Sequence, residues 1–154
     1  MSIEENKALM RRWFTEPPPE MIRQIQEAED PKSLIEKLIR PNAEKVFAPD
    51  CILHYEGVDS NWEEIIKMNL EYLAAFPDAS FVVENMLAEG DFVAIRVTMR
   101  GTNLGPFRGI PATGKKIEMG YMDLCRIAGG KIVEVWVYSD TLGLMQQLGA
   151  IPKP

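Results

Sequence analysis

The chain has 154 residues, of which 46% are hydrophobic, so it is long and apolar enough for one domain with a buried core. Its formal net charge of -6 repels phosphate backbones, and we expect no nucleic-acid partner. No apolar run approaches the roughly 20 residues that cross a bilayer, and the first residues lack the order of a signal peptide. We therefore expect no membrane partner and a cytoplasmic protein.

The first 41 residues predict three helices. Ser2 followed by Glu5 is a capping box at the start of the first helix, which the prolines at 17–19 are expected to end. Met21 begins a second helical face, and Pro31 is a first-turn proline that opens a third helix. We expect Pro41 to stop this third helix.

The rest of the chain predicts mainly a sheet. A compact apolar segment at 51–57 predicts a strand, and the amphipathic stretch from Asn61 to Ala75 predicts a helix. Alternating segments then predict an antiparallel meander and a short last helix. The expected strands are 80–88, 92–101, 117–127 and 131–139, and the last helix is 141–148. Helices that precede a meander indicate an α+β fold, in which the bent sheet and the helices enclose a pocket.

The segment at 131–139 carries the first candidate for chemistry. Its residues alternate between two faces, with Val133, Val135 and Val137 on one and Ile132, Glu134, Trp136, Tyr138 and Asp140 on the other. If the second face lines the pocket, Asp140 lies beside Trp136 and Tyr138, where desolvation would raise its pKa toward that of a general base. Asp140 is also well placed to be only the N-cap of the last helix.

The segment at 117–127 contains a second carboxylate. One face is apolar or aromatic at Ile117, Met119, Tyr121, Cys125 and Ile127, and Asp123 interrupts it. Asp123 is interpreted either as half of a buried ion pair with Arg96 or Arg100, or as a second acid.

His54 is the only histidine, so a zinc site would lack ligands at sensible spacing, and we expect no metal. It could carry a proton in the pocket or be a hydrogen-bonded structural residue, and the neighbouring Tyr55 is a weaker pocket candidate. Cys51 and Cys125 lack paired spacing and are expected to be reduced core thiols. None of the common nucleotide or hydrolase motifs is present, so no cofactor is expected.

Two long motifs, GTNLGPFRGIPATGKKI and MDLCRIAGGKIVEVWVYSDTLGLMQQLG, resemble the SnoaL-like polyketide cyclases, or ester cyclases, of the ketosteroid-isomerase superfamily. The resemblance covers most of the chain. It implies a single domain over residues 1–154, with a helical insertion at about 17–41. It also implies a cone-shaped α+β barrel with a deep pocket and no metal or cofactor, dimeric through its sheet.

The same resemblance assigns the acid/base role to Asp140 in WVYSD, and it implies an intramolecular aldol closure of a carbonyl chain. Asn103 and Val135 replace histidines that the family often carries, so other side chains would have to donate hydrogen bonds to an enolate. His54 and Asp123 are the further catalytic candidates. The residues expected to bind substrate are Trp136, Tyr138, Tyr121, Asn103, Met119 and Tyr55.

These observations predict a cofactor-independent cyclase or isomerase that acts on a hydrophobic polyketide- or terpenoid-like carbonyl compound. One alternative is a hydrolase in which Asp123 and Asp140 activate water around an arginine, as epoxide hydrolases of the superfamily do. Another is a non-catalytic protein that binds a small apolar ligand. We also expect a homodimer whose outward sheet faces, with Val133, Val135 and Val137, meet across a two-fold axis.

Overall fold

A computed structural model describes residues 1–14 and 18–154 of the chain. Helix α1 spans Ile3–Trp13, and its capping box is confirmed, because Ser2 Oγ accepts a hydrogen bond from the Glu5 amide while Glu5 accepts one from the Ser2 amide. The predicted end of this helix at the prolines 17–19 includes Pro17, which lies outside the described residues.

Two more helices precede the sheet, α2 at Pro19–Glu27 and α3 at Pro31–Val46. The Asp30 side chain caps α3 by accepting a hydrogen bond from the Ser33 amide. The prediction that Pro41 stops α3 is wrong, because the helix runs through it to Val46. Ala43 and Val46, which follow Pro41, are both buried, so packing of this last turn offsets the hydrogen bond that the proline removes.

Six strands form one sheet in the order β2-β1-β6-β5-β4-β3. Each pair of neighbours is antiparallel except β1 and β6, which run parallel, so the sheet is mixed rather than wholly antiparallel. The α+β class is confirmed, and the curved sheet does not close into a barrel. The strands are β1 Phe47–Tyr55, β2 Val58–Asn61, β3 Ser80–Glu89, β4 Phe92–Thr102, β5 Lys116–Ala128 and β6 Lys131–Ser139.

One helix lies between β2 and β3, and another follows β6. Helix α4 spans Trp62–Ala75, one residue shorter than predicted, because Asn61 is its N-cap, whose side-chain oxygen accepts a hydrogen bond from the Glu63 amide. Helix α5 spans Thr141–Gln147. Among the described residues, no helix is long and apolar enough to cross a membrane.

The sheet buries one face of each central strand. In β5 the buried face is the predicted one, which carries Asp123 between Tyr121 and Cys125. In β6 the prediction is reversed, because Val135 and Val137 are buried while Tyr138 is 72% exposed. Val137 pairs directly with Asp123 across the two strands, and residues that pair directly project from the same face of a sheet.

Candidate functional site

The sheet and helices α1 and α4 surround a cavity with about 720 Å³ of empty space, the open mouth included. Most of its wall is aliphatic, aromatic or methionine side chain, which favours an apolar ligand. The lining residues are Met10, Trp13, Phe14, Phe47, Leu53, Tyr55, Ile65, Met68, Asn69, Tyr72, Phe81, Met99, Met119, Tyr121, Asp123, Cys125, Ile132, Val135, Val137 and Ser139.

Asp123 is the only carboxylate among the described residues that line this cavity. It lies in the middle of β5, where its backbone pairs with Ile95 on one side and with Val137 on the other. Its Oδ1 atom is buried and has no hydrogen-bond partner among the described residues. An unpaired carboxylate oxygen inside a protein is costly, and it is therefore a group that a ligand could satisfy.

Burial raises the pKa of Asp123 from its usual 3.8 to about 7, because a charged carboxylate loses its hydration in the cavity. The sequence suggested an ion pair with Arg96 or Arg100, and this prediction is wrong. Arg96 donates to Asn85 at 2.9 Å and Arg100 donates to Glu118 at 2.7 Å. Because no cation of the described residues lines the cavity with it, Asp123 can exchange a proton near neutral pH.

Three other polar side chains that line the cavity already have partners. The Tyr55 hydroxyl accepts a hydrogen bond from Arg108 at 3.2 Å, and the Asn69 amide donates to the Ile65 carbonyl at 2.8 Å. The hydroxyl of Ser139 lies 3.1 Å from that of Thr141.

Tyr121 is the polar neighbour of Asp123, two positions before it on the same face of β5. Burial raises the pKa of Tyr121 well above its usual value, and the charge of Asp123 raises it further. The Tyr121 hydroxyl therefore keeps its proton, and it can donate a hydrogen bond next to the carboxylate. The structure places Tyr121, Tyr55 and Met119 in the cavity, as the sequence predicted.

Asp140 lies outside the cavity lining and is exposed. Its Oδ1 accepts a hydrogen bond from the Gly143 amide at 2.9 Å, so it is the N-cap of α5, the second of the two roles that the sequence left open. The predicted position of Asp140 in the pocket, beside Trp136 and Tyr138, is wrong because the outward face of β6 was taken for the inward one.

His54 and Trp136 also lie outside the cavity lining, on the outer face of the sheet, where their rings stack with centroids 4.9 Å apart. His54 is held at both ring nitrogens, by Asp59 at 2.6 Å and by Glu134 at 2.9 Å. These two carboxylates raise the pKa of His54, Glu134 having the larger effect. The prediction that Trp136 and Tyr138 line the cavity is wrong, and His54 has the geometry of a structural histidine.

Asn103 is fully buried but does not line the cavity. Its side-chain oxygen accepts hydrogen bonds from the amide and the hydroxyl of Thr113, and its nitrogen donates to the Gly105 carbonyl. Asn103 thus organises the loop between β4 and β5, and the structure does not support its predicted contact with substrate.

The sequence did not single out Tyr72 and Asn69 of α4 as site residues, or Arg108, whose guanidinium holds Tyr55. In the helical pattern, Tyr72 has the spacing of an ordinary core residue, and only the three-dimensional arrangement shows that it lines the cavity. No cluster of His, Cys, Asp and Glu side chains that could hold a metal occurs among the described residues. The site therefore offers one desolvated carboxyl group and phenolic hydroxyls within an apolar wall.

Comparisons with protein families and with solved structures each identify proteins that are similar to this chain. The family model described as SnoaL-like polyketide cyclase matches residues 35–148. Among curated proteins, no significant match is found.

Many solved structures are similar to this chain. AclR from Streptomyces galilaeus, a proposed hydroxylase, is 27% identical with a TM-score of 0.74, over 99% of this chain and 86% of that one. IdmH from Streptomyces antibioticus, a proposed polyketide cyclase, is 28% identical with a TM-score of 0.62, over 87% of this chain and 99% of that one. A SnoaL-like protein from Jannaschia sp. CCS1 is 22% identical with a TM-score of 0.72, over 99% and 97%, which is evidence for the fold alone.

Proposed function

Because the chain belongs to the SnoaL-like polyketide cyclase family, we propose that it is a cofactor-independent cyclase or isomerase in which Asp123 is the general acid/base. The observation that carries this proposal is the Asp123 carboxyl group, which lies in an apolar cavity without a counterion and has a pKa of about 7. A carboxylate with such a pKa is half ionised at neutral pH, so it can both take a proton and return it.

The cavity wall favours an uncharged substrate. No lysine, arginine or histidine side chain is among the lining residues of the described chain. A substrate with a free carboxylate would therefore lose its hydration without gaining a counterion, and it would also meet the charge of Asp123. We propose a hydrophobic polyketide- or terpenoid-like carbonyl compound whose acid groups, if it has any, are esterified.

The proposed reaction begins when the Asp123 carboxylate removes a proton from a carbon next to a carbonyl group. The electron pair of the C–H bond forms a carbon–carbon double bond, and the carbonyl oxygen becomes an enolate. In an aldol closure the enolate carbon then attacks a second carbonyl of the same molecule, and Asp123 returns its proton to the new alkoxide. The tight wall supports this step by holding both reacting carbons of a folded substrate together.

Neither alternative from the sequence gains a specific observation. The hydrolase hypothesis requires Asp123 and Asp140 around an arginine, but Asp140 lies outside the cavity, and no arginine of the described residues lines it. A carrier of apolar ligands would fit the wall. However, a carrier has no need for a carboxylate that is buried without a partner, because this costs folding free energy.

The proposal can be tested without the natural substrate, by proton exchange on a neutral ketone. 1-Tetralone has exchangeable hydrogens next to its carbonyl, and NMR in D₂O measures their replacement by deuterium. We expect the wild-type protein to accelerate this exchange, and Asp123→Asn to lower the acceleration by about 10²-fold or more while keeping the shape of the side chain.

Asp140→Asn is the matched control, because it makes the same chemical change at the carboxylate that lies outside the cavity. It should exchange 1-tetralone at the wild-type rate. A loss with Asp140→Asn and none with Asp123→Asn would overturn the assignment, whereas binding of 1-tetralone without exchange in any variant would favour the carrier.

A further inference from the structure

Tyr72 has a phenolic hydroxyl that the fold leaves unsatisfied. It lies on helix α4 and is 8% exposed, and its ring contacts those of Phe76 and Phe107, with centroids 6.4 Å and 5.1 Å away. Its oxygen is buried and has no hydrogen-bond partner among the described residues. A buried tyrosine hydroxyl usually has a partner, so its absence in the ligand-free protein points to a group that arrives from outside.

Two buried side-chain oxygens without hydrogen-bond partners in the described part of the chain belong to residues that line the same cavity. Of the buried side-chain oxygens without partners in the described residues, Tyr72 Oη and Asp123 Oδ1 belong to residues that line this cavity. The two residues lie on different elements, α4 and β5. A ligand that fills the cavity can therefore be contacted by Asp123 from the sheet and by Tyr72 from the helix.

The Tyr72 hydroxyl is a donor throughout the useful pH range. Burial raises its pKa above the usual 10, and the nearby Tyr55 hydroxyl adds to this, although the two do not have hydrogen-bond geometry. The Tyr55 hydroxyl is engaged, since it accepts a hydrogen bond from Arg108. Tyr72 is thus a protonated donor whose hydrogen bond is uncommitted in the fold.

On the basis of the proposed function, we propose that Tyr72 is a second catalytic residue, which donates a hydrogen bond to the substrate carbonyl oxygen as that oxygen becomes an enolate. Asp123 takes the proton from carbon, the negative charge moves to oxygen, and Tyr72 stabilises this charge while keeping its own proton. A fixed donor aimed at a developing oxyanion lowers the barrier more than it lowers the energy of the bound ketone.

The central variant is Tyr72→Phe, which removes only the oxygen and keeps the ring contacts. We expect 1-tetralone exchange to slow by about 10²-fold. In the ligand-free state the melting temperature should stay equal or rise by about 2 to 4 °C, because an unsatisfied buried hydroxyl is removed. A structural role for the hydroxyl predicts the opposite, a lower melting temperature.

A binding cycle gives a readout that does not depend on turnover. 2-Naphthol carries a hydroxyl group that naphthalene lacks. Fluorescence titration measures the affinity of the protein for each of these two ligands. Tyr72→Phe should weaken 2-naphthol binding about 5- to 10-fold relative to naphthalene. Tyr138→Phe, at a tyrosine that is 72% exposed and outside the cavity, is the control and should leave both affinities unchanged.

Several outcomes would overturn the inference. If Tyr72→Phe changes the two affinities equally or not at all, Tyr72 does not contact the ligand oxygen. If Tyr121→Phe alone gives the selective loss, the donor is Tyr121. If the proposed function itself is wrong, the result is a different one, because Asp123→Asn would then exchange 1-tetralone at the wild-type rate. Loss of exchange with Asp123→Asn but not with Tyr72→Phe overturns only the role of Tyr72.

Discussion

Asp123 is a residue whose burial works against folding. Its carboxyl group is held in the cavity without a hydrogen bond to Oδ1, and its pKa is about 7 in the folded protein against 3.8 for an ordinary aspartate. Between these two values the folded state binds one proton more than the unfolded state. Stability must therefore fall as pH rises through this interval.

We expect the free energy of unfolding of the ligand-free protein to drop between about pH 4 and pH 7, and the Asp123 share of this drop to be on the order of 3 to 4 kcal/mol. Urea unfolding at several pH values measures it. Asp123→Asn cannot ionise, so the difference between the two proteins isolates this residue. The pKa of His54 is also raised, so its contribution to the stability of the folded protein also decreases as pH rises. This contribution is the same in the wild-type protein and in Asp123→Asn. Parallel pH curves for the two proteins would contradict a raised Asp123 pKa.

The sequence indicated some of the site residues and could not indicate others. Asp123 was visible as a carboxylate that interrupts an apolar strand face. The absence of an ion pair between Asp123 and Arg96 or Arg100 was not visible in the sequence, because the alternation does not say which charged side chains of β4 lie on the same face as Asp123. Tyr72 gave no signal, since a helical pattern of apolar residues does not tell a core tyrosine from one that lines a cavity.

At the scale of elements, β6 shows how a strand can be predicted correctly and oriented wrongly. The two faces were separated correctly from Glu134 onward, but a register shift near the start of β6 places Ile132 on the buried face together with Val135 and Val137. Both faces contain large apolar side chains, so composition did not decide which one is buried. The pairing of Val135 with Cys125 and of Val137 with Asp123 settles it, and a pairing register is not readable from one sequence. Asp140 was therefore wrongly assigned to the pocket, because it was expected to lie beside Trp136 and Tyr138 on the buried face.

Helix α5 depends on a tight cap at its start. Asp140 Oδ1 accepts from the Gly143 amide, and a Cβ atom at Gly143 would lie 2.2 Å from Asp140 Oδ2. We expect Asp140→Ala to lower the free energy of unfolding by about 1 kcal/mol, and Asp140→Asn to lower it by much less, because asparagine also caps helices. Chemical denaturation measures both. Equal losses in the two variants would show that the charge of Asp140, rather than the cap, is what stabilises α5.

At the scale of the whole molecule, the outer face of the sheet is a feature without an assigned role. It carries exposed apolar side chains on adjacent strands, namely Ile52, Leu87, Phe92, Met122, Leu124 and Tyr138. Val135 and Val137, which the sequence placed on this face, are instead in the cavity wall. The prediction of a homodimer through the sheet therefore rests on different residues from those first expected.

We propose that this outer face pairs with a second copy of the chain, since exposed apolar side chains on adjacent strands favour association. Light scattering at micromolar concentration should give twice the monomer mass. Leu124→Lys places a charge near the middle of the face and should give a folded monomer. Lys116→Leu, at the end of β5, is the control and should leave the mass unchanged. A wild-type monomer would contradict the proposed dimer.

The α+β class and most element bounds followed from the sequence, because helical and strand periodicities are local. The parallel pairing of β1 with β6 did not, since it joins segments about 80 residues apart in the chain. This pairing places β1 beside β6, and it thereby brings Leu53 and Tyr55 into the cavity wall next to Val135 and Val137. The cavity is thus a product of long-range pairing, which explains why its position was predicted less well than its elements.

The measurement that tests the central claim most directly is the pH profile of 1-tetralone exchange by the wild-type protein at low ketone concentration. If the Asp123 carboxylate removes the proton, the rate constant should rise with pH, reach half its maximum near pH 7 and then level off. Asp123→Asn should lose both the rate and this midpoint. A wild-type profile without a midpoint near pH 7, or the same midpoint in Asp123→Asn, would contradict Asp123 as the base.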